Sequence, residues 1–277
     1  MNYIEKFLHL IDTDMTEPGN YGWFHIMMFA IIVLTTIIFV VAGRNCLEKT
    51  FRRTVLWWWI INMILELYIV LMYAYNIEDG KIVWDYAWYM FPFQLCSSPA
   101  YTLPFVALLK DGKVRDGFIA YTMTFAFFGG LAVMFYPNDV FVSTIGINVQ
   151  TMIHHGMQVV MGIFFAVHER HKLTRFFFMR GIPVFCGLLA VAMVLNIGGY
   201  HLFQHLGMDD TFNMFFISPY FECTLPILNM IYPAVPYPVF LCIYIFGFTL
   251  IAWLMHVILR GIILGVVRAK KKKRAAC

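Results

Sequence analysis

The sequence predicts an all-α fold, a polytopic membrane helical bundle of seven transmembrane helices with the amino terminus outside and the carboxyl terminus inside. Three observations lead there. Of 277 residues, 61% are hydrophobic and only 13% charged, and the mean hydropathy of +0.73 lies far outside the range of soluble domains. A sliding window finds seven stretches near the ~20 residues that cross a ~30 Å hydrocarbon core, at 23–42, 55–75, 91–109, 117–136, 149–167, 181–200 and 236–259. Eighteen of the twenty Lys and Arg residues fall in the connections one–two, three–four and five–six or after the seventh stretch, leaving Lys6 and Lys81 for the other side. Cytoplasmic connections carry such an excess, and an odd number of crossings follows.

Taken in order, residues 1–22 form an amphipathic segment with Tyr3, Phe7, Leu10 and Ile11 on one side, suited to the outer surface. The stretch after it has no small-residue cleavage site and is expected to stay as a span. The second stretch carries Trp57, Trp58 and Trp59, an interfacial belt, and the acidic Glu66. The third, 91–109, is the weakest by hydropathy and holds Pro92, Pro99 and Pro104 beside Gln94, Cys96, Ser97 and Ser98. Proline frees backbone carbonyls, so this helix belongs inside a bundle with its polar side turned from lipid. Residues 201–235 are too apolar for a solvated loop and too rich in proline for a regular span, which predicts a lid on the outer side. The basic tail, 260–277, is expected to meet anionic lipid headgroups rather than nucleic acid. No linker or repeat divides the chain, so 1–277 reads as one domain. The six cysteines show no CxxC spacing and no disulfide framework.

Polar groups inside a bilayer are expensive and mark function or packing. Glu66, His25, His154, His155, Asn196 and Cys96 come from different spans, yet counting from the span ends places all of them in the outer half of the membrane. Gln150, His154 and Gln158 share one helical face, and His155 points about 100° away. A cysteine and an imidazole at one depth are the minimum for a thiolate nucleophile that attacks an acyl carbonyl. Glu66 is placed to orient the imidazole, and Ser97, Ser98, Asn196 or Gln158 to donate to an oxyanion. Packing alone also accounts for an intramembrane cysteine, a glutamine stripe or a protonated glutamate.

The order of these features resembles the YwaF family of bacterial integral membrane proteins, related to eukaryotic membrane acyltransferases that act on ether lysophospholipids. The matching pieces are Tyr21-Gly22 through His25, Glu66, FPFQLC ending at Cys96, His155-Gly156, Asn196, and Thr211 to Phe215 followed by Pro219. The resemblance implies seven helices and acyl transfer, with Cys96 as nucleophile and His155 as its base. Gln94 stands where the bacterial LPLHLC pattern has His, which speaks against a metal, and His154 is an extra histidine that leaves the base open.

The leading expectation is a lipid acyltransferase or acyl-lipid hydrolase of the cell membrane. Its catalytic residues are Cys96, His155 and Glu66, and its substrate-binding residues His25, His154, Gln158, Asn196 and Asn213. Phospholipid or lysophospholipid is the partner, and no cofactor or metal is expected. The alternative is a non-enzymatic small-molecule or lipid binding or transport protein. A retinal protein is disfavoured by the lack of a lysine within the last span, and a metal hydrolase by the lack of HExxH spacing.

Overall fold

A computed structural model describes residues 3–79, 81–137 and 140–275. The side chains of residues 4, 5 and 270–275 lie outside that description, and with them the predicted headgroup contacts of the lysine run. Helix α1 (Tyr3–Ile11) exposes Tyr3, Phe7 and Leu10 and buries Leu8, as its amphipathic pattern predicts. Helices α2 (Trp23–Gly43) and α3 (Glu48–Met72) follow. An antiparallel hairpin, β1 (Tyr75–Glu78) with β2 (Lys81–Trp84), leads into the polar turn before α4 (Pro99–Leu108). Helix α5 (Lys113–Tyr121) continues through a π-helical segment, Thr122–Ala126, into α6 (Phe127–Phe135). Helices α7 (Ile145–His168), α8 (Ile182–Leu206), the short α9 (Leu228–Ile231) and α10 (Tyr237–Ala275) complete the chain.

Among the described residues, five helical stretches are long and apolar enough to cross a membrane: Trp23–Gly43, Glu48–Met72, Lys113–Phe135, Phe177–Leu206 and Tyr237–Ala269. Helix α2 shows why. Its face of Phe24, His25, Met28 and Ile32 is buried, while Ile26, Ile31, Leu34, Ile37, Ile38 and Val41 stand exposed. Such a continuous apolar surface is stable only against lipid. The chain is therefore a helical membrane protein. Helix α7 is long but more polar, and sits centrally against α2, α3, α6 and α10 with most of its length buried.

Two expectations need correction. The stretch 91–109 is not one regular helix, because only Pro99–Leu108 is helical and 91–98 is turn and irregular chain. Proline disfavours a helical residue before it and supplies no donor, so Pro92 keeps Phe91 extended, while Pro99 follows a helical Ser98 and suits the first helical turn. The second concerns the predicted lid, which starts later than residue 201. Helix α8 runs on to Leu206 and ends at Gly207, whose φ of 70° is the left-handed conformation that closes helices. His201 and His205 thus belong to α8. The β hairpin has four-residue strands and was not foreseen.

At one end of the bundle, the connections predicted to be basic are tied together by ion pairs. Arg115 is fully buried among Glu48, Asp111 and Glu169, Arg52 bridges Glu48 and Asp111, and Asp116 pairs with both Lys172 and Arg180. Burial alone would raise the Asp111 carboxyl, but Arg115, Lys172 and Arg52 together hold it below the usual range. Burial works against the Lys172 ammonium, yet Glu169 and Asp116 hold its pKa above the ordinary value. The signs are opposite. The Asp111 contribution to stability is present above the unfolded carboxylate pKa and lost as pH falls through the lower folded value. The Lys172 contribution is present below the unfolded lysine pKa and lost as pH rises through the higher folded one. The unfolding midpoint in detergent should therefore form a plateau that declines on both flanks, and Lys172→Met should flatten the alkaline decline.

The contact between α6 and α7 depends on a missing side chain. A Cβ at Gly130 would lie 2.5 Å from the His155 carbonyl oxygen and 2.8 Å from the Gln158 Cβ. Gly130→Ala must therefore push α7 away, at about 1–3 kcal/mol of overpacking. The expected result is a lower unfolding midpoint, read by thermal melting in detergent.

Candidate active site

Cys96 lies in the turn between the irregular chain and α4, and that turn is secured from several directions. Ser98 donates to the Leu95 carbonyl at 2.6 Å and accepts from the Tyr121 hydroxyl at 2.7 Å, while Thr102 donates to the Ser98 carbonyl. The Ser97 side chain and amide face the Cys96 thiol. The turn leads directly into α4, whose first N–H groups favour negative charge.

Two side chains one turn apart on α7 close on this segment. His154 Nε2 and Gln158 Nε2 each donate to the Cys96 carbonyl at 2.9 Å. Their i,i+4 spacing puts both on one face, which is the stripe visible in the sequence. Gln150, the third member, donates to the Leu65 carbonyl and ties α7 to α3 as packing glue. Glu66 approaches from α3, with Oε1 3.6 Å from His154 Nε2. The carboxylate therefore stands by His154. Two acceptors converge on Nε2 of His154, so that nitrogen carries the proton and Nδ1 is the lone-pair nitrogen. The His155 ring lies 5.1 Å from that of His154, and its Nδ1 donates to the Thr151 carbonyl at 2.8 Å, which leaves Nε2 as its basic nitrogen.

Several polar atoms in this region are buried with no hydrogen-bond partner among the described residues: His154 Nδ1, Glu66 Oε1, Gln158 Oε1, the Tyr86 hydroxyl, and both amide atoms of Asn62. Buried polar atoms are normally paired, so this concentration beside Cys96 sets the site apart from the rest of the bundle. Asn62 and Tyr86 were missed in the sequence. Asn62 stands four residues before Glu66 on the same face of α3, a spacing that was available as a signal. Tyr86 lies in a loop with no such pattern, and its hydroxyl is near enough to Glu66 to sense the charge.

Three predicted substrate-binding residues have other work. His25 accepts from the Tyr21 N–H at Nδ1 and donates to the Met134 carbonyl at Nε2, so both ring nitrogens tie α2 to its neighbours. Asn196 holds the N–H and carbonyl of Met214, and Asn213 holds the Ser218 N–H and the Glu222 carbonyl. Gln94 adds a bond to the Phe215 N–H and another to the Asn213 carbonyl, and Tyr244 donates to the Phe215 carbonyl. Together they pin a strap in which Phe215 and Phe216 take φ of 55° and 57°. Bulky residues adopt this strained backbone only when their surroundings over-determine it. The strap closes the molecule against the Cys96 turn through Gln94.

Among the described residues, the group spaced to hold a metal ion is Glu48, His168 and Glu169, at the ion-paired end and away from Cys96. Arg52, Arg115 and Lys172 already neutralise its carboxylates, so the donor set does not favour a cation.

Fold and site together define a helical integral membrane protein with a buried polar cluster around a cysteine. A family model described as the TMEM164 family matches residues 20–260, and the chain belongs to that family. The match takes in the Cys96 turn, α7 and the strap, and leaves out α1 and the basic tail. Comparisons with curated proteins and with solved structures gave no match.

Proposed function

We propose that this protein is a lipid acyltransferase or acyl-lipid hydrolase of a cell membrane. It crosses the bilayer seven times with its amino terminus outside, the half-length α4 and the preceding irregular chain forming the third pass. Cys96 is the nucleophile and His155 the base. The observation that carries the reading is the hold of His154 and Gln158 on the Cys96 carbonyl, with Glu66 beside His154 and the His155 ring next to that of His154. The resemblance to the YwaF family, which matches at Cys96 and His155 and departs at Gln94, supports it.

His155 Nε2 takes the thiol proton, and the thiolate adds to the acyl carbonyl of a phospholipid. The C–O ester bond breaks, the leaving alkoxide takes the proton from the imidazolium, and the acyl group remains on Cys96 as a thioester. A hydroxyl of a second lipid, or water, then attacks the thioester with His155 again as base, and the thiolate leaves and is reprotonated. The Ser97 side chain and amide supply donors for the oxyanion of each step. His154 and Gln158 hold the Cys96 carbonyl and so set the rotation of the turn.

Intact-mass spectrometry after incubation with mixed phospholipids tests this. Wild type should gain one acyl increment, and Cys96→Ala none. No increment on wild type would overturn the proposal in favour of a binding or transport protein. That second reading draws on Asn62 and Tyr86, whose unpaired polar atoms have no part in the thiol chemistry. It predicts ligand-dependent thermal stabilisation that survives Cys96→Ala.

A further inference from the structure

We infer that the cleft between α4, α5 and α8 is a binding site for one anionic glycerophospholipid, its phosphate held between Lys113 and Arg180 and an acyl chain laid along α8. The cleft encloses about 780 Å³ and is not lined by Cys96. The inference does not rest on acyl transfer.

The argument begins with its two ends. Lys113 opens α5 and is exposed, without an ion pair among the described residues, and Arg180 stands just before α8. Asp116 pairs with Arg180, but Lys172 holds the same carboxylate, so its single charge is shared between two cations and this end of the cleft stays positive. Beyond the cations the walls are apolar. Phe105 stacks on Phe118 with ring centroids 4.6 Å apart, and Val191 lies at the far end. Arg180 and Val191 are eleven residues apart, or about 16 Å at the helical rise. That is about half of a ~30 Å hydrocarbon core, the depth of one leaflet. A site with cations at one end and an apolar wall one leaflet deep matches a lipid in both chemistry and length. In the orientation proposed above, that leaflet is the cytoplasmic one, where anionic lipids concentrate.

Gly187 makes room for the chain. It lines the cleft, and a Cβ there meets nothing within 4 Å. A side chain at this position therefore starts in open space on a residue that lines the cleft. This gives a selective test, because the basic tail also attracts anionic headgroups but lies outside the cleft.

The full-length protein is reconstituted in nanodiscs of equimolar phosphatidylglycerol and phosphatidylcholine, extracted, and examined by native mass spectrometry. The expected result is one retained phosphatidylglycerol per chain, enriched at least fivefold over phosphatidylcholine. Gly187→Leu should lose the retained lipid while keeping the wild-type unfolding midpoint in lipid-free detergent. Lys113→Gln, an exposed change, should lower the enrichment severalfold. If Gly187→Leu does not fold, Lys113→Gln decides alone. Equal retention of the two lipids, or enrichment undiminished in the folded variants, would overturn the inference and assign the anionic preference to the tail.

Discussion

Arg115→Met is expected to lower stability by about 3–5 kcal/mol, the range for removing one partner of a buried ion pair, which corresponds to a fall of on the order of 10 °C in the unfolding midpoint. The Arg115 side chain is 0% exposed. Its Nε donates to the Val106 carbonyl at 2.7 Å, its Nη2 meets Glu48 at 2.7 Å and its Nη1 meets Asp111 at 2.5 Å. The guanidinium also lies 5.7 Å from the Phe51 ring centroid. Methionine fills much of the volume but leaves the Val106 carbonyl without its donor. It also leaves Glu169, whose side chain is 2% exposed, with Lys172 as its main counter-charge. The cost arises mainly from stranded acceptors rather than from lost attraction. Adding Glu169→Gln to Arg115→Met should therefore recover part of the loss, a coupling that a double-mutant cycle reads directly. Arg115→Lys should fall between, since an ammonium keeps the charge but cannot reproduce the planar fork. A loss below about 1 kcal/mol for Arg115→Met would mean that the cluster behaves as a solvated surface network.

What the sequence reveals of this molecule follows from the range of the interactions involved. Helices α2, α3 and α10 are legible because a long apolar run has one stable solution in lipid, whatever its neighbours. The segment 91–109 is apolar enough to count as a span, but Pro92 and Pro99 decide its backbone locally, and a hydropathy window averages them away. At the site, the stripe of Gln150, His154 and Gln158 was visible as helical spacing, whereas its targets, the carbonyls of Leu65 and Cys96, were not. A backbone carbonyl leaves no mark in sequence. The same limit explains Asn196 and Asn213, which resemble ligand-binding polar residues until the strap that occupies their amides is seen. His25 is a further case: its partners at Tyr21 and Met134 are both main-chain groups, so nothing in its own pattern separates a tie from a ligand. The ion-paired end was legible only by its cations, which cluster in sequence. Their acidic partners Glu48, Asp116 and Glu169 lie beside Lys49, Arg115 and Arg170 in the same connections, but the pairings run from one connection to another and form only after folding.

Under the proposed acyl transfer, the two histidines are expected to separate sharply in kinetics. His155→Ala should slow acyl-thioester formation on Cys96 by roughly 10²–10⁴-fold, the usual contribution of a general base, while His154→Gln should cost less than about tenfold on the same scale. The division follows from which nitrogen each ring has free. His154 directs Nε2 at the Cys96 carbonyl, so its lone pair, on Nδ1, faces the other way and is buried. A glutamine amide can still donate to that carbonyl, so His154→Gln preserves the turn. His155 is fixed by the opposite nitrogen: its Nδ1–H is held by Thr151 within the helix, and Nε2 projects from the ring as a base of defined orientation. Glu66 fits this division, since it approaches His154 and polarises the donor that holds the turn. Glu66→Gln should therefore resemble His154→Gln in size and leave the pH dependence of thioester formation unchanged, whereas His155→Ala should abolish that dependence. Single-turnover mass spectrometry across a pH series supplies both readouts. A large loss in His154→Gln with near-normal rates in His155→Ala would move the base to His154 Nδ1 and require the turn to rotate before the chemistry.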